Sequence, residues 1–268
     1  MRREDAPPLL LSAAFLLGAI SLEKLSLLSG LAFATAYLTS VALARRSGWR
    51  SAPYVALSGS ASGLLWEAVG LRWGIPFGRY RYLLRWPDLL GVPIPVVLAW
   101  GAYLLASYYA SLGAPRRAKA PLAVSLMVLL DMALDPVMVD RGAWAWEDGP
   151  GWFGIPWTNF AGWALTSATA LALYRAVGSD PDPPGTAVVP YACAYLPILL
   201  FSTERSVLPA ASAFSAALAL CALLARGARD RNPLSMGGSG VPSSPHRPGW
   251  RPSTHFKVAG VRGAACST

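Results

Sequence analysis

The sequence predicts an all-α fold: a polytopic transmembrane helical bundle of about eight spans, with seven as the alternative. Three observations predict it. Apolar runs recur along most of the chain, which is 54% hydrophobic with a mean hydropathy of +0.41. Charged residues make up only 14%, against about a quarter in a soluble domain. The net charge is +9, yet the arginines gather at the ends of the apolar runs. That placement suits phospholipid head groups and topology signals and argues against a nucleic-acid partner.

The apolar segments lie at 9–22, 25–44, 53–70, 92–112, 121–139, 160–177, 188–202 and 207–225. A span needs about 20 residues, so the first and seventh are short. The first follows Arg2 and Arg3 and runs into further spans without a clear small-residue cleavage site, so a retained helix is expected. In an eight-helix arrangement Arg45, Arg46, Arg50, Arg116, Arg117, Lys119, Arg175, Arg226, Arg229 and Arg231 fall on the same side as Arg2 and Arg3. The positive-inside rule makes that side cytoplasmic, with both termini inside and the cell membrane as the location. The stretch 71–91 breaks the pattern, because it carries Arg72, Arg79, Arg81 and Arg85 on the outer side. It is therefore expected to be a folded, functional loop. Residues 230–268 are rich in Gly, Pro, Ser and Arg without periodicity. They are expected to be a disordered tail behind a helical domain of residues 1–229.

Several chemistries are excluded. Both histidines, His246 and His255, lie in the tail, and Cys193, Cys221 and Cys266 are far apart. This leaves no intramembrane histidine cluster for di-iron, no axial histidine for haem and no Ser-His-Asp set. No metal and no cofactor are expected. Chemistry inside the bundle falls to carboxylates, aromatics and amides.

Acidic residues at membrane depth are costly, so each needs a reason. Glu67 sits near the outer end of the third segment, after Trp66, and precedes a loop containing Gly78-Arg79-Tyr80-Arg81-Tyr82. Its bland role is pairing with a loop arginine. Asp131 and Asp135 are one turn apart on one face of the fifth helix. Pro136 follows and frees a backbone carbonyl about one turn earlier; the bland role of Asp135 is to end the helix there. An aromatic loop comes next, with Trp144-Ala145-Trp146, then Gly154-Ile155-Pro156 and Asn159-Phe160-Ala161-Gly162-Trp163. Asp140 and Asp88 suit solvated loops, and Trp152 and Trp157 an interfacial belt. Glu67, Asp131, Asp135, Asn159 and Trp163 come from three helices yet fall in one leaflet, which points to a single pocket.

At these residues the chain resembles the carotenoid-biosynthesis family of membrane hydratases, of the carotenoid 1,2-hydratase and bisanhydrobacterioruberin hydratase type. The matching stretches are Glu67 to Gly70, Gly78 to Tyr82, Asp131 to Pro136, Trp144 to Trp146, Gly154 to Pro156 and Asn159 to Trp163. The resemblance extends in layout over residues 9–226 and is specific between 60 and 165. It implies hydration of the terminal isopropylidene double bond of a linear or half-linear carotenoid to a tertiary alcohol, without a redox cofactor. The implied partners are the lipid-soluble polyene and the bilayer, with a complex with other carotenoid-pathway enzymes as a further expectation.

Such a hydration needs an acid for carbon, a stabilised tertiary cation and a positioned water. Two neighbouring buried carboxyls share a proton readily, which suits Asp131 and Asp135; Glu67 fits either the acid or the base role. Trp66, Tyr80, Tyr82, Trp144, Trp146 and Trp163 are candidates to surround the substrate and steady the cation, and Asn159 to orient water. Two other classes compete: a proton-coupled transporter, which also uses intramembrane carboxylates, and a non-catalytic carotenoid-binding protein.

Overall fold

The computed structural model describes residues 2–24, 27–84, 86–147 and 151–230. These described residues belong to one compact unit. The expected disordered tail, with His246, His255 and Cys266, lies outside the described residues, as does Arg85.

Among the described residues there are eight α-helices, one for each apolar segment: α1 (Ala6–Lys24), α2 (Leu27–Arg46), α3 (Ala52–Trp73), α4 (Ile94–Ser111), α5 (Arg116–Asp140), α6 (Trp157–Val177), α7 (Val189–Leu200) and α8 (Val207–Asp230). Of these, α4 and α5 are long and apolar enough to cross a membrane by length and composition. Helix α7 is short, as its segment predicts, and carries Pro197 inside it. Helix α1, expected to be short, reaches 19 residues by extending to Ala6.

Proline sets several helix starts, where its missing N–H costs nothing. Pro53 and Pro95 lie in the first turns of α3 and α4, and Pro115 and Pro156 immediately precede α5 and α6. Gly74 closes α3 in the left-handed conformation, φ +73°, with its N–H on the Gly70 carbonyl. Pro136 does not end α5, so Asp135 is a helix-interior residue rather than a terminator. The carbonyl that Pro136 cannot bond, that of Met132, instead accepts the Trp152 indole N–H at 2.9 Å.

Helix α3 packs on α4 and α6, α5 on α4, α6 and α8, and α1 on α2 and α7. Small residues permit the close approaches. A Cβ on Gly63 would stand 2.3 Å from Trp100 Cγ, and one on Gly162 would stand 2.5 Å from Phe77 Cδ1. Trp100 therefore lies flat on α3, and Phe77 enters between α3 and α6.

The expectation of an all-helical chain needs one correction. The two aromatic motifs pair as an antiparallel ladder, β1 (Tyr80–Tyr82) with β4 (Trp144–Trp146), in the register Tyr80 to Trp146, Arg81 to Ala145 and Tyr82 to Trp144. A second short pair joins β2 (Asp88–Leu89) to β3 (Val92–Pro93). Alternation along a strand puts Tyr80, Tyr82, Trp144 and Trp146 on one face of the first ladder. Arg81 falls on the other face and is exposed. The described part of the arginine-bearing stretch 71–91 thus holds two short paired strands, β1 and β2, between α3 and α4.

Candidate active site

Three buried carboxyls stand on two helices. Glu67 is 6% exposed, Asp131 0% and Asp135 2%. Among the described residues no lysine or arginine forms an ion pair with any of them. Glu67 does not take the loop-arginine role.

Glu67 is held by neutral donors instead. Trp100 Nε1 donates to Oε1 at 3.0 Å, and Tyr82 Oη donates to Oε2 at 2.8 Å. Tyr80 Oη donates to the same Oε2. The ladder explains why both tyrosines reach one carboxyl: residues two apart on a strand share a face. Burial first, and then the proximity of Glu67, push both tyrosine hydroxyls above their ordinary range, so they stay protonated and donate.

The aspartates are held by one amide. Asn159 Nδ2 lies 2.7 Å from Asp131 Oδ2 and 2.6 Å from Asp135 Oδ2. Accepting from the same nitrogen, the two carboxyls are near neighbours. Among the described residues Asp131 Oδ1 has no hydrogen-bond partner, and the buried indole N–H of Trp144 stands beside Asp135 without a hydrogen bond of good geometry.

A cavity of about 150 Å³ joins the two groups. Glu67, Asp135 and Asn159 give it a polar end. Tyr80, Tyr82, Trp144, Trp146 and Trp163 also line it. From there it runs past Val96, Ala99 and Tyr103 to Phe15, Gly18, Gly30 and Phe33, on α1 and α2. Its lining is overwhelmingly apolar, which suits a hydrophobic ligand with a few polar groups at one point.

Two predicted residues stand apart from this lining. Asp131 sits behind Asp135 and reaches the cavity only through Asp135 and Asn159. Trp66 is adjacent to Glu67 in sequence but is not part of the lining, because successive helical residues point about 100° apart. Among the lining residues that went unforeseen, Trp100 and Phe77 stand nearest the predicted ones. Trp100 packs against Trp163 with ring centroids 4.1 Å apart and the rings tilted, and Phe77 contacts both Tyr80 and Trp100. The signal for Trp100 was a tryptophan deep inside an apolar run, away from any interface. Among the described residues no three His, Cys, Asp or Glu side chains form a group able to hold a metal ion.

The bisanhydrobacterioruberin hydratase of Haloarcula japonica is 33% identical over 118 residues, 40% of this chain and 39% of that protein. The chain thus matches well under half the length of that relative. No solved structure matches. The family described as carotenoid biosynthesis protein matches residues 24–225. The chain therefore belongs to the carotenoid biosynthesis protein family.

Proposed function

We propose that the protein is a carotenoid hydratase, adding water to the terminal isopropylidene double bond of a linear or half-linear carotenoid to give a tertiary alcohol. The observation that carries this reading is the meeting of three buried carboxyls, free of any ion pair with lysine or arginine among the described residues, at one end of an aromatic cavity. The named activity of the Haloarcula relative supports it.

The chemistry divides between the two polar groups. Asp131 and Asp135 share one proton, and Asp135, the member that lines the cavity, delivers it to the CH carbon of the double bond. The electron pair of the alkene forms the new C–H bond and leaves a tertiary cation on the dimethyl carbon. Trp163, Trp144 and Trp146 present ring faces to it, an attraction worth about 2 kcal/mol in a desolvated site. Glu67, accepting from Trp100, Tyr80 and Tyr82, serves as the carboxylate that takes a proton from the attacking water. Asn159 and the Trp144 indole N–H orient that water. The proton gained by Glu67 returns to the aspartate pair and closes the cycle. The cavity volume accommodates the end of a polyene rather than its length, so the remainder extends toward α1 and α2.

The same reading has the bundle spanning the cell membrane eight times with both termini cytoplasmic. In its support, large apolar side chains such as Leu31, Leu38, Leu57, Leu65, Leu173 and Leu208 point outward along the helices. A water-soluble surface rarely carries so many.

Expression in a bacterial host that accumulates lycopene or a prenylated longer relative tests the function. A more polar pigment, heavier by the mass of water, supports it. Unchanged pigment with inserted protein contradicts it for those substrates. Uptake of solute under a pH gradient would favour a transporter, and bound unaltered pigment a carrier.

A further inference from the structure

Hydration consumes water, yet the carboxyls face an apolar, aromatic cavity. Among the described residues four buried hydroxyls have no hydrogen-bond partner: Ser62 on α3, Ser107 on α4, and Thr166 and Ser167 on α6. Helical serines and threonines commonly satisfy themselves on the carbonyl one turn back, as Thr169 does on Leu165 and Ser12 on Pro8. A buried hydroxyl left without such a bond calls for a water partner.

Three of them fall on α4 and α6, and Ser62 lies on α3, which packs on both of those helices. On α6, Thr166 and Ser167 come one turn after Trp163 and about two turns before Tyr174, on the same helix face. On α4, Ser107 comes two turns after Trp100 and just before Tyr108. The two faces are bridged at both ends by rings. Trp100 packs against Trp163, tilted by 32° with centroids 4.1 Å apart, and Tyr108 meets Tyr174 edge-on at 5.1 Å. Between the bridges on α6, Ala170 comes one turn after Thr166 and is fully buried. Beyond Tyr108 and Tyr174 a second cavity opens, about 630 Å³, at the end of the bundle where α5 begins. Lys119, Arg175, Asp180 and Asp182 give it a charged rim.

We propose that this second cavity is the mouth of a water path. The hydroxyls of Ser107, Thr166, Ser167 and Ser62 form its relay, and it ends at the Trp100–Trp163 pair beside Glu67 and Asn159. Water then arrives along the bundle from the charged rim, while the polyene end enters from the α1–α2 side. The purpose of the path rests on the hydratase reading; its existence is testable without turnover.

In a chain with Cys193, Cys221 and Cys266 replaced by alanine, Thr166→Cys and Ser167→Cys are treated with a small cationic methanethiosulfonate in lipid vesicles. Leu165→Cys, on the outward face of the same helix, is the apolar control. Only a wetted thiol ionises appreciably, so positions 166 and 167 should label on the order of tenfold faster than 165. Equally slow labelling at all three overturns the path. In the second arm, Thr166→Val combined with Ser167→Ala should slow hydration about tenfold with pigment binding retained. Full-rate hydration by that variant overturns the path as the water supply. Absence of product from the unsubstituted chain counts against the hydratase reading alone, and the labelling still decides the path.

Discussion

Asn159 Nδ2 lies 2.6 Å from Asp135 Oδ2. The same nitrogen braces Asp131 at 2.7 Å, so a single amide fixes the spacing of two carboxyls one helical turn apart. Only Asp135 opens onto the cavity. Asp135→Asn should therefore lower hydration by roughly 10²–10⁴-fold, the usual contribution of a positioned acid, while the protein still inserts and binds pigment. Asp131→Asn should also abolish proton sharing and strongly reduce turnover. Pigment analysis of each variant checks both; wild-type activity in Asp135→Asn would remove the acid role.

Glu67 depends on its donors. Tyr82→Phe and Trp100→Phe each remove one hydrogen bond to its carboxyl. A hydrogen bond to a charged group is worth about 1.5–3 kcal/mol, so the rate should fall by about ten- to a hundredfold, in kcat more than in KM. Burial and the Glu67 charge push the Tyr80 and Tyr82 hydroxyls up, so neither should create an alkaline limb in the pH–rate profile below about pH 10. Steady-state assays in detergent or vesicles across pH measure this.

Gly63 is a space requirement. A Cβ there would meet Trp100 Cβ, Cγ and Cδ1 at 2.7, 2.3 and 2.5 Å, the rigid base of the ring rather than a flexible tip. Gly63→Ala should cost about 1–3 kcal/mol of stability by overpacking and displace the Trp100 donor from Glu67. Thermal unfolding should shift downward, and activity should fall in the same variant.

Far from the carboxyls, Asp180 accepts Tyr108 Oη at 2.6 Å, Lys119 Nζ at 2.9 Å and Tyr174 Oη at 3.1 Å. Burial pushes this carboxyl up, but the tyrosine and lysine contacts outweigh it, and the net direction is down. A carboxyl depressed in the folded state stabilises it above its unfolded pKa, about 3.9, and loses that contribution as the pH falls through the lower folded value. Asp180→Asn should be less stable than the parent at neutral pH and should lack this acid-side loss. Unfolding midpoints between neutral pH and pH 3 test the sign.

Much of the site was legible because apolar runs mark helices and charge inside them is conspicuous. Glu67, Asp131, Asp135 and Asn159 stand out for that reason, and the four-residue spacing already puts the aspartates on one face. The carbonyl freed by Pro136 was also legible, though not that Trp152 would take it. The ladder was not, since Tyr80–Tyr82 and Trp144–Trp146 are each too short to show alternation and pair across a long sequence separation. Nor could periodicity settle small rotations. Trp66 is one residue from Glu67 but off the cavity, and Asp131 is one turn from Asp135 but behind it.

The most direct test of the central claim is oxygen tracing. The purified protein, in vesicles carrying a linear carotenoid with an isopropylidene end, is incubated in water enriched in oxygen-18, and the pigment is analysed by mass spectrometry. A tertiary alcohol carrying the heavy oxygen, absent with Asp135→Asn, is the predicted result. Unaltered carotenoid, or an alcohol whose oxygen does not come from water, would contradict hydration by these carboxyls.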